Sequence, residues 1–369
     1  MKFLHIADLH LGKRVCEYSM LEEQKAILAT VAEQAAAEGV RAVLIAGDIY
    51  DRPVPPAEAI ALFSDFLERL HRSGIAALMI AGNHDSADRL SFAAPLLAEQ
   101  GVHVAGECRG LTEVVIFEEG DHRVAVHLLS HFRPSALPPY FNGTRFESSE
   151  QALRAILSGV DLSIADRHIL VAHLFVSGSV TSDSELPVIG TVDAVPSELF
   201  SGFDYVALGH LHRPQAFGSV VYAGSPLCYS FSEVGQQKSA VLIEVTSEGT
   251  ATRRLPLMPI HAMREVKGSM EELMSAPYSE DYIRAVVTDE EVAPDARITL
   301  RTVYPNLMRF AVENSNTVID EEVACSEGIE GRDPLALFSE FFEAQNGTPP
   351  TEKQLSLMRD ILKEAEVEQ

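Results

Sequence analysis

Residues 42–51 read AVLIAGDIYD, a short apolar run that ends at Gly47 and Asp48. An apolar run of this length, followed at once by a glycine, is typical of a strand buried on both faces of a sheet. The flanking segments Leu21–Glu38 and Ala57–Arg72 carry apolar side chains at spacings of three and four residues, which predicts two helices. Strands that alternate with helices in this way indicate the α/β class.

Other strand-like runs lie on both sides of this segment and share its content of Val, Ile, Leu and Ala. They are Phe3–Ala7, Ala76–Ala81, Val124–Leu129, His168–Ala172 and Tyr205–Leu208. After Pro226 the pattern changes to Lys238–Val245 and Ala251–Leu257, where β-branched and polar residues alternate on either side of a turn. This second pattern predicts a hairpin that closes the first domain.

The following residues, from about 260 to 318, have the pattern of a small mixed unit. We expect a strand that ends at Gly268, a helix over Met270–Met274, and strands at Tyr282–Thr288 and Ile298–Val303. The acidic C-terminal segment then carries apolar residues at helical spacing over residues 335–344, a break at 346–350 and a second helical pattern over 352–366. Two helices with apolar faces suggest a docking element.

Composition excludes several classes of protein. The 54 acidic and 29 basic side chains give a net charge of −25, which argues against a protein that coats nucleic acid through a broad basic surface. The four cysteines form no CxxC pair, so they indicate a reducing compartment rather than a disulfide framework or a sulfur-ligated zinc site. The N-terminus lacks a signal-peptide pattern, and no apolar stretch has membrane-spanning length. We therefore expect a soluble cytoplasmic protein with no membrane partner.

Five of the strand-like runs are followed by side chains that can bind a metal ion. These side chains are Asp8, His10, Asp48, Asn83, His84, His173, His210 and His212. Taken singly, each has an ordinary structural explanation, such as a helix cap, a turn residue or a hydrogen-bonded histidine. As a set they favour one site, because the carboxyl ends of the strands in an open α/β sheet lie along one edge, where ligands bind.

The chemistry of this set points to a pair of metal ions. Carboxylate, amide and imidazole ligands without thiolate suit Mn²⁺, Fe²⁺ or Zn²⁺, whereas Mg²⁺ favours oxygen ligands alone. Without His84, the set contains seven candidate ligands: two Asp, four His and one Asn. Seven ligands are too many for one ion that keeps an open position, but they suit two ions about 3.5 to 4 Å apart that share a carboxylate. Asp48 is the candidate for the shared ligand. Such a pair activates water and neutralises phosphoryl oxygens, which predicts phosphoester hydrolysis.

The order D-x-H, G-D-x-x-D, G-N-H-D, H and G-H-x-H resembles the signature of the calcineurin-type metallophosphoesterases. Within that superfamily the chain is similar to the SbcD family of bacterial nuclease subunits. The similar stretches are HIADLHLGK, AGDIYDRPVPP, AGNHDSADRLSF, GHLHRPQ, GSPLCYSFSEVGQQKS and YPNLMRF. They span nearly the whole chain and are strongest before about residue 255. The resemblance implies a β-sandwich flanked by helices over residues 1–258, an α+β capping and DNA-binding domain over 259–318, and C-terminal helices over 331–369.

The resemblance also implies roles for individual residues. One ion would be held by Asp8, His10, Asp48 and His212, and the other by Asp48, Asn83, His173 and His210, with Mn²⁺ as the expected metal. His84 would lie outside the ligand set and stabilise the transition state or protonate the leaving oxygen. Asp51 would be the carboxylate that pairs with His84 and favours its charged form. Asp85 is expected to be a structural cap.

The function implied is a metal-dependent DNA exonuclease and endonuclease that acts on double-strand ends and hairpins. The resemblance implies that the C-terminal helices dock on an SbcC-type ATPase. ATP dependence would come from that partner, because the chain has no G-x-x-x-x-G-K-[ST] loop of its own. A homodimer within a heterotetramer is the expected assembly. Two alternatives stay open: another two-metal enzyme, such as a protein phosphatase or a cyclic-nucleotide phosphodiesterase, and a scaffold that has lost its metals. Lys13, Arg14 and Arg52 could meet a phosphate or simply face solvent.

Overall fold

The computed structural model describes residues 1–183, 194–315 and 348–367, together with Leu335, Phe338, Ser339 and Phe342. The chain divides into two units, Met1–Met263 and Arg264–Gln369. The predicted C-terminal element, 331–369, falls partly outside the described residues. Within the described part of the chain, no helix combines the length and the apolar character needed to cross a membrane.

Among its described residues, the first unit contains sixteen strands, most of them in two sheets. In chain order they are Lys2–Ile6 (β1), Arg14–Val15 (β2), Tyr18–Ser19 (β3), Ala42–Ile45 (β4), Ala76–Ile80 (β5), Val102–Ala105 (β6), Glu113–Glu119 (β7), His122–Leu129 (β8), Arg167–His173 (β9), Phe175–Val176 (β10), Ala194–Val195 (β11), Tyr205–Gly209 (β12), Gln215–Phe217 (β13), Val220–Tyr222 (β14), Ser239–Val245 (β15) and Thr250–Pro256 (β16). One sheet has the order β16-β15-β1-β4-β5-β6 and the other has the order β13-β14-β12-β9-β8-β7. The predicted closing hairpin is confirmed, since β15 and β16 are antiparallel neighbours.

The helices of this unit are Leu21–Glu38 (α1), Ala57–Arg72 (α2), Ala87–Leu90 (α3), Ala94–Ala98 (α4) and Ser149–Leu157 (α5). The first two have the predicted bounds, because both ends carry local signals. At the end of α1, Gly39 adopts a left-handed conformation with φ 65° and its N–H binds carbonyl groups of the last turn. Pro56, extended with ψ 153°, precedes α2, which buries Phe63, Phe66 and Leu70 on one face.

The apolar faces of the two sheets form one buried cluster. Phe3, Leu44 and Leu78 of the first sheet belong to the same cluster as Val126 and Ile169 of the second. Burial of each such side chain contributes about 1.5 to 3 kcal/mol, so this interface is a main source of stability. The β-sandwich expected from the resemblance is confirmed. The second sheet covers one face of the parallel strands β1, β4 and β5, which must bury both faces.

The second unit contains a three-stranded sheet with the order Met263–Gly268 (β17), Tyr282–Val287 (β18) and Leu307–Val312 (β19). Its helices are Met270–Ser275 (α6), Ala296–Leu300 (α7) and Glu352–Val367 (α8). The predicted strand Ile298–Val303 is wrong, because Ala296 and Leu300 are buried four residues apart on α7 while Ile298 is 72% exposed. The third strand is instead formed by the later segment, Leu307–Val312.

The C-terminal segment bears out one of its two predicted helices. The pattern over 352–366 corresponds to α8, Glu352–Val367. Of the helix predicted over 335–344, only Leu335, Phe338, Ser339 and Phe342 are described, and they are helical. The remainder of that prediction, with Asn346 and Gly347 of the predicted break, lies outside the described residues.

Candidate metal centre

The eight strand-end side chains come from both sheets and lie together. Asp8 and His10 follow β1, Asp48 follows β4, Asn83 and His84 follow β5, His173 ends β9, and His210 and His212 follow β12. The strands β1, β4 and β5 belong to one sheet, while β9 and β12 belong to the other. The site is therefore formed where the carboxyl ends of the two sheets meet, and each sheet supplies part of the cluster.

Four of these residues adopt a backbone conformation that is rare for residues with a side chain. Positive φ angles occur at Asp8 (53°), His10 (43°), Asp48 (49°) and His210 (99°). Asp and His tolerate the left-handed region better than β-branched residues do, but the conformation still costs about 1 kcal/mol or more at each position. Such strain concentrates at functional sites, where the surrounding structure fixes the direction of the side chain.

Two glycines allow the strand ends to approach one another. A Cβ atom on Gly82 would lie 2.2 Å from Asp48 Oδ1. A Cβ atom on Gly209 would lie 1.9 Å from the Ala46 carbonyl oxygen and 2.9 Å from His173 Nδ1. The glycines of the G-N-H-D and G-H-x-H motifs are thus explained by packing, since any side chain would push the ligand residues apart.

One half of the cluster contains Asp8, His10, Asp48 and His212. The Nε2 atoms of His10 and His212 are 3.0 Å apart, and His10 Nε2 is 3.7 Å from Asp48 Oδ2. Asp8 accepts a hydrogen bond at Oδ1 from the His210 main-chain N–H (2.8 Å), while its Oδ2 atom is buried without a hydrogen-bond partner among the described residues. The unsatisfied carboxylate oxygen points to a cation at this position.

The other half contains Asp48, Asn83, His173 and His210. Asn83 Oδ1 lies 2.9 Å from His173 Nε2 and 3.0 Å from His210 Nδ1. His173 Nε2 is also 3.4 Å from Asp48 Oδ2. Because Asp48 Oδ2 approaches a histidine from each half, it joins the two groups.

The hydrogen bonds around the cluster fit bound cations. His173 Nδ1–H donates to the Ala46 carbonyl oxygen (2.8 Å), and His212 Nδ1–H donates to Glu233 Oε1 (3.1 Å). His212 Nε2 can accept the hydrogen of His10 Nε2. In the neutral His173 ring, however, Nε2 is an acceptor that faces two other acceptors, Asn83 Oδ1 and Asp48 Oδ2. A positive charge, supplied by a proton or by a metal ion, is needed between them. Two groups of three residues each bring their possible ligand atoms within 4.8 Å of one another. One group is His10, Asp48 and His84, and the other is Asp8, Asp48 and His173.

The electrostatics of the site also favour cations. Burial raises the pKa of Asp8 to about 7, even though His173 and His212 are close by. Burial opposes ionisation of Asp48 as well, but His173 and His10 hold the pKa of this carboxyl well below its ordinary value. Burial alone would lower the pKa of His173, yet attraction to Asp48 and Asp8 outweighs it and raises this pKa to about 9. The buried carboxylates therefore stabilise positive charge.

The structure corrects the predicted partner of His84. The His84 Nδ1–H donates to the main-chain carbonyl oxygen of Asp51 (3.0 Å), and the His84 main-chain N–H donates to Asp48 Oδ1 (2.9 Å). The Asp51 carboxylate instead binds Lys13 Nζ (2.8 Å). The expectation that this carboxylate pairs with His84 is therefore wrong, because Lys13 takes it. His84 is half-buried, and its Nε2 is the ring nitrogen left to meet a substrate.

Asp85 behaves as a structural cap. Its carboxylate accepts hydrogen bonds from the main-chain N–H groups of Gly82 (2.9 Å), Ile49 (3.1 Å) and Tyr50 (2.9 Å). Burial and the nearby Asp48 raise its pKa to about 6. By tying the loop after β4 to the loop after β5, Asp85 holds two of the ligand-bearing segments together.

Several buried residues that support the histidines were not predicted from the sequence. Glu233 receives the His212 hydrogen bond and forms an ion pair with the buried Lys238 (2.6 Å), whose Nζ also donates to the His212 carbonyl oxygen (2.9 Å). Gln24 Nε2 donates to the His10 carbonyl oxygen (2.8 Å) and to Tyr229 Oη (3.0 Å). The available signal was the stretch GSPLCYSFSEVGQQKS, which places a Glu and a Lys five residues apart after β14.

Comparisons with known proteins agree with this architecture. A family model described as Calcineurin-like phosphoesterase matches residues 1–214, and one described as Type 5 capsule protein repressor C-terminal domain (SbcD_C) matches residues 259–346. The curated SbcCD nuclease SbcD subunit of Staphylococcus epidermidis is 30% identical over 98% of both chains. Its counterpart of the same name in Staphylococcus saprophyticus is 29% identical over 98% of both chains.

A solved structure of a dimetal phosphatase from Danio rerio covers 70% of this chain and 99% of its own, with a TM-score of 0.43 and 12% identity. That likeness is too weak to add to the assignment. The fold, the strand-end cluster and the match over residues 1–214 define the class: the chain belongs to the calcineurin-like phosphoesterases. Within this class it belongs to the SbcD family of SbcCD nucleases, which it matches over 98% of its length.

Proposed function

We propose that this protein is a metal-dependent DNA nuclease that hydrolyses phosphodiester bonds at double-strand ends and hairpins. The observation that carries the proposal is the extent of the similarity, which covers the second unit as well as the phosphoesterase unit. A protein phosphatase or a cyclic-nucleotide phosphodiesterase of the same superfamily needs only the first unit. The strand-end cluster supports the hydrolytic chemistry, and the second unit supports DNA as the substrate.

We assign the metal ligands to the two halves of the cluster. Asp8, His10, Asp48 and His212 would hold one divalent ion, and Asp48, Asn83, His173 and His210 the other. The mixture of carboxylate, amide and imidazole donors supports Mn²⁺. Held by these residues, divalent ions would lower the pKa of water and would neutralise charge on the phosphoryl oxygens. The protein's contribution is orientation: Glu233 and the Ala46 carbonyl oxygen fix the rings of His212 and His173 with Nε2 toward the centre.

His84 is our candidate for proton transfer to the leaving oxygen. Its Nδ1–H is bound to the Asp51 carbonyl oxygen, so Nε2 is the atom that can carry a proton toward substrate. Its half-buried position, beside the half-buried Asn83, is at the accessible side of a cluster in which only His210 of the other members is also half-buried. The role of Asp51 is then to orient His84 through its main chain, while its carboxylate holds Lys13.

We further propose an SbcC-type ATPase as the partner, with DNA as the shared substrate and a homodimer within a heterotetramer. The capping domain would guide DNA to the metal centre, and the C-terminal helices would dock on the partner. The docking role of the C-terminal helices rests on the apolar residues at helical spacing over 335–344 and 352–366. The described cysteines are all free, which supports action in a reducing cytoplasm.

The test compares substrates in the presence of Mn²⁺. A hairpin oligonucleotide and a blunt duplex are incubated with the protein, alone and with its ATPase partner, beside a phosphopeptide and a cyclic nucleotide. We expect cleavage of both DNA substrates, with ATP dependence conferred by the partner. Turnover of the small substrates without DNA cleavage would contradict the proposal. A chain truncated after Gly331 should keep metal-dependent hydrolysis and lose the partner in a pull-down experiment.

A further inference from the structure

A cavity of about 470 Å³ in the first unit has a lining that is cationic. It is lined by residues after His212, by the loop 232–237 and by β16, and its charged members are Arg213 and Arg254. Among the described residues that line it, none is acidic. The chain as a whole carries a net charge of −25, so a cavity with two guanidinium groups and no carboxylate is a local exception to its charge.

The one carboxylate of the loop is turned away from this cavity. Glu233 is buried and binds His212, Lys238 and Ser225 Oγ, whereas its neighbours Ser232 and Val234 line the cavity. The negative charge of the loop therefore lies on the buried side, against His212 of the candidate metal centre. Its small and neutral groups face the cavity.

The polar groups of the lining can donate hydrogen bonds. Gln236 Oε1 accepts a hydrogen bond from Lys238 Nζ (3.0 Å), so the carboxamide has its NH₂ group left for a ligand. The Gln237 carboxamide adds a further donor to the lining, whereas the Ser232 hydroxyl already donates to Ser230 Oγ (3.0 Å). Two guanidinium groups with neutral donors beside them make a site that suits an anion, and phosphate in particular.

The two arginines that line the cavity differ in their ion pairing from Arg253, which precedes Arg254 on β16. Arg253 binds the carboxylate of Glu38 (2.8 Å). Arg254, the next residue along β16, and Arg213 form no ion pair with any described residue. Their positive charge is thus not neutralised within the described structure, and it is available to a ligand.

The cavity adjoins the metal centre through covalent and hydrogen-bonded links. Arg213 directly follows His212, and Lys238 Nζ donates both to the His212 carbonyl oxygen (2.9 Å) and to Gln236. A group bound in the cavity is therefore held close to one end of the ligand cluster. Consecutive phosphates of one strand of duplex DNA follow one another about every 3.4 Å along the helix axis, so the phosphate next to the cleaved one stays near the ligand cluster.

We propose that this cavity binds a phosphodiester group of the DNA strand beside the one that is cleaved, through Arg213 and Arg254. The inference rests on the proposed nuclease function and names the residues that hold its substrate. It also accounts for DNA binding by an acidic protein, because a few well-placed arginines can bind the backbone phosphates that the overall charge would repel.

The test uses the double variant Arg213→Gln, Arg254→Gln and a control with the same change in charge. The control, Arg253→Gln with Arg154→Gln, removes two exposed arginines that are already paired with Glu38 and Glu150. Duplex DNA binding is measured across a range of salt concentrations, with Ca²⁺ in place of Mn²⁺ to prevent cleavage. The ratio of kcat/KM on DNA to kcat/KM on bis(4-nitrophenyl) phosphate is measured with Mn²⁺ for each protein.

For the cavity variant, we expect the slope of log K against log salt to fall by about 0.9 for each phosphate that the protein no longer neutralises. The kcat/KM ratio should fall about tenfold, and the control should match the wild type. Equal slopes in the two variants, or a parallel loss on both substrates, would overturn the proposal. Arginine-dependent binding of inorganic phosphate with an unchanged DNA slope would also overturn it, in favour of a free anion. A wild-type protein that hydrolyses the small diester but neither binds nor cuts DNA refutes the nuclease function itself.

Discussion

Two pairs of buried histidines meet at the same distance in different surroundings. His10 and His212 face one another in the strand-end cluster with 3.0 Å between their Nε2 atoms, and His127 and His168 do so in the second sheet with 3.0 Å between Nε2 and Nδ1. Around the first pair lie the carboxylates of Asp48 and Glu233. Neither ring of the second pair forms an ion pair with a described carboxylate.

The hydrogen bonds between the rings do not distinguish the two pairs. His168 Nε2–H donates to the Ala165 carbonyl oxygen (3.1 Å), so His168 Nδ1 accepts a hydrogen from His127 Nε2. The second pair is thus satisfied by one neutral tautomer of each ring. In the first pair, Glu233 takes the Nδ1 hydrogen of His212, so His212 Nε2 can accept a hydrogen from His10 Nε2 in the same way. Histidines alone therefore do not identify the metal centre, and the surrounding carboxylates do.

The largest effect is expected at Asp48, which approaches histidines of both halves. Asp48→Ala should reduce hydrolysis of bis(4-nitrophenyl) phosphate to the uncatalysed rate, because the reaction would depend on both ions. Since enzymes accelerate such reactions about a millionfold or more, the loss should be large. Mn²⁺ affinity at both sites, measured by calorimetry, should fall by more than about a hundredfold.

The matched control changes the other histidine pair. His127→Gln should keep Mn²⁺ affinity within about threefold of wild type, since that ring binds His168 and packs against Phe203, away from the cluster. If the Asp48→Ala protein, with its fold verified by circular dichroism, bound Mn²⁺ as well as wild type does, the carboxylates would not be what distinguishes the metal centre from the core histidine pair.

The next effect concerns a histidine that lies beside the same carboxylates without being assigned as a ligand. His84→Gln should lower kcat by about 10² to 10⁴, because it removes the group that can protonate the leaving oxygen. Both Mn²⁺ ions should still bind with nearly wild-type affinity. Loss of one ion from this variant would assign His84 to the ligands and would make His10, Asp48 and His84 one coordination group.

The parts of this molecule that sequence could predict are those with local causes. The bounds of α1 and α2 follow from apolar spacing, Gly39 and Pro56, all within or next to the helices. The eight strand-end residues could be collected because each follows a recognisable strand. The division into two sheets could not be predicted from spacing alone, since the pairing of β9 with β8 and β12 is decided by contacts distant in the chain.

Side-chain partners were harder to predict for the same reason. Asp51 and His84 are close enough in space for the expected pairing, but Lys13, 38 residues before Asp51, takes the carboxylate. Glu233 could not be linked to His212 from their separation of 21 residues, because the turn through Ser225 and Tyr229 brings them together. The chemistry of a metal centre can thus be predicted from its ligands, while its supporting hydrogen bonds require the tertiary structure.

A smaller effect on Mn²⁺ affinity is expected from the carboxylate beside each histidine pair, and it should differ between the two pairs. Glu233→Gln should weaken Mn²⁺ binding about 10- to 100-fold, because His212 loses the acceptor that fixes its ring. The control is Asp204→Asn, since Asp204 accepts the main-chain N–H of His168 (2.8 Å) beside the other pair. That change should leave Mn²⁺ affinity within about threefold of wild type.

Glu233→Gln also leaves the buried Lys238 without its ion-pair partner, which can destabilise the fold by about 3 to 5 kcal/mol. The double variant Glu233→Gln, Lys238→Met removes that unpaired charge. It should regain stability toward urea while Mn²⁺ affinity stays low. Recovery of affinity together with stability would mean that Glu233 acts only through folding.

The smallest effect concerns the pH dependence of stability. Burial and the neighbouring His168 lower the pKa of His127 to about 4, against 6.5 for an ordinary histidine. Its Nδ1 atom is buried without a partner among the described residues, so a second proton would have no acceptor. Between pH 6.5 and about 4 the unfolded chain binds this proton and the folded chain does not. The contribution is fully present above pH 6.5, is lost as the pH falls, and does not change further below about pH 4.

This group should therefore add up to about 1.4 kcal/mol per pH unit to the slope of unfolding free energy against pH within that window. His127→Gln should reduce the slope by that amount, measured by urea unfolding in EDTA so that the metal centre contributes equally to both proteins. The same slope in the variant and the wild type would mean that the His127 ring accepts a proton in the folded state. The core pair could then hold a positive charge without a carboxylate beside it, and the carboxylates would no longer distinguish the two regions.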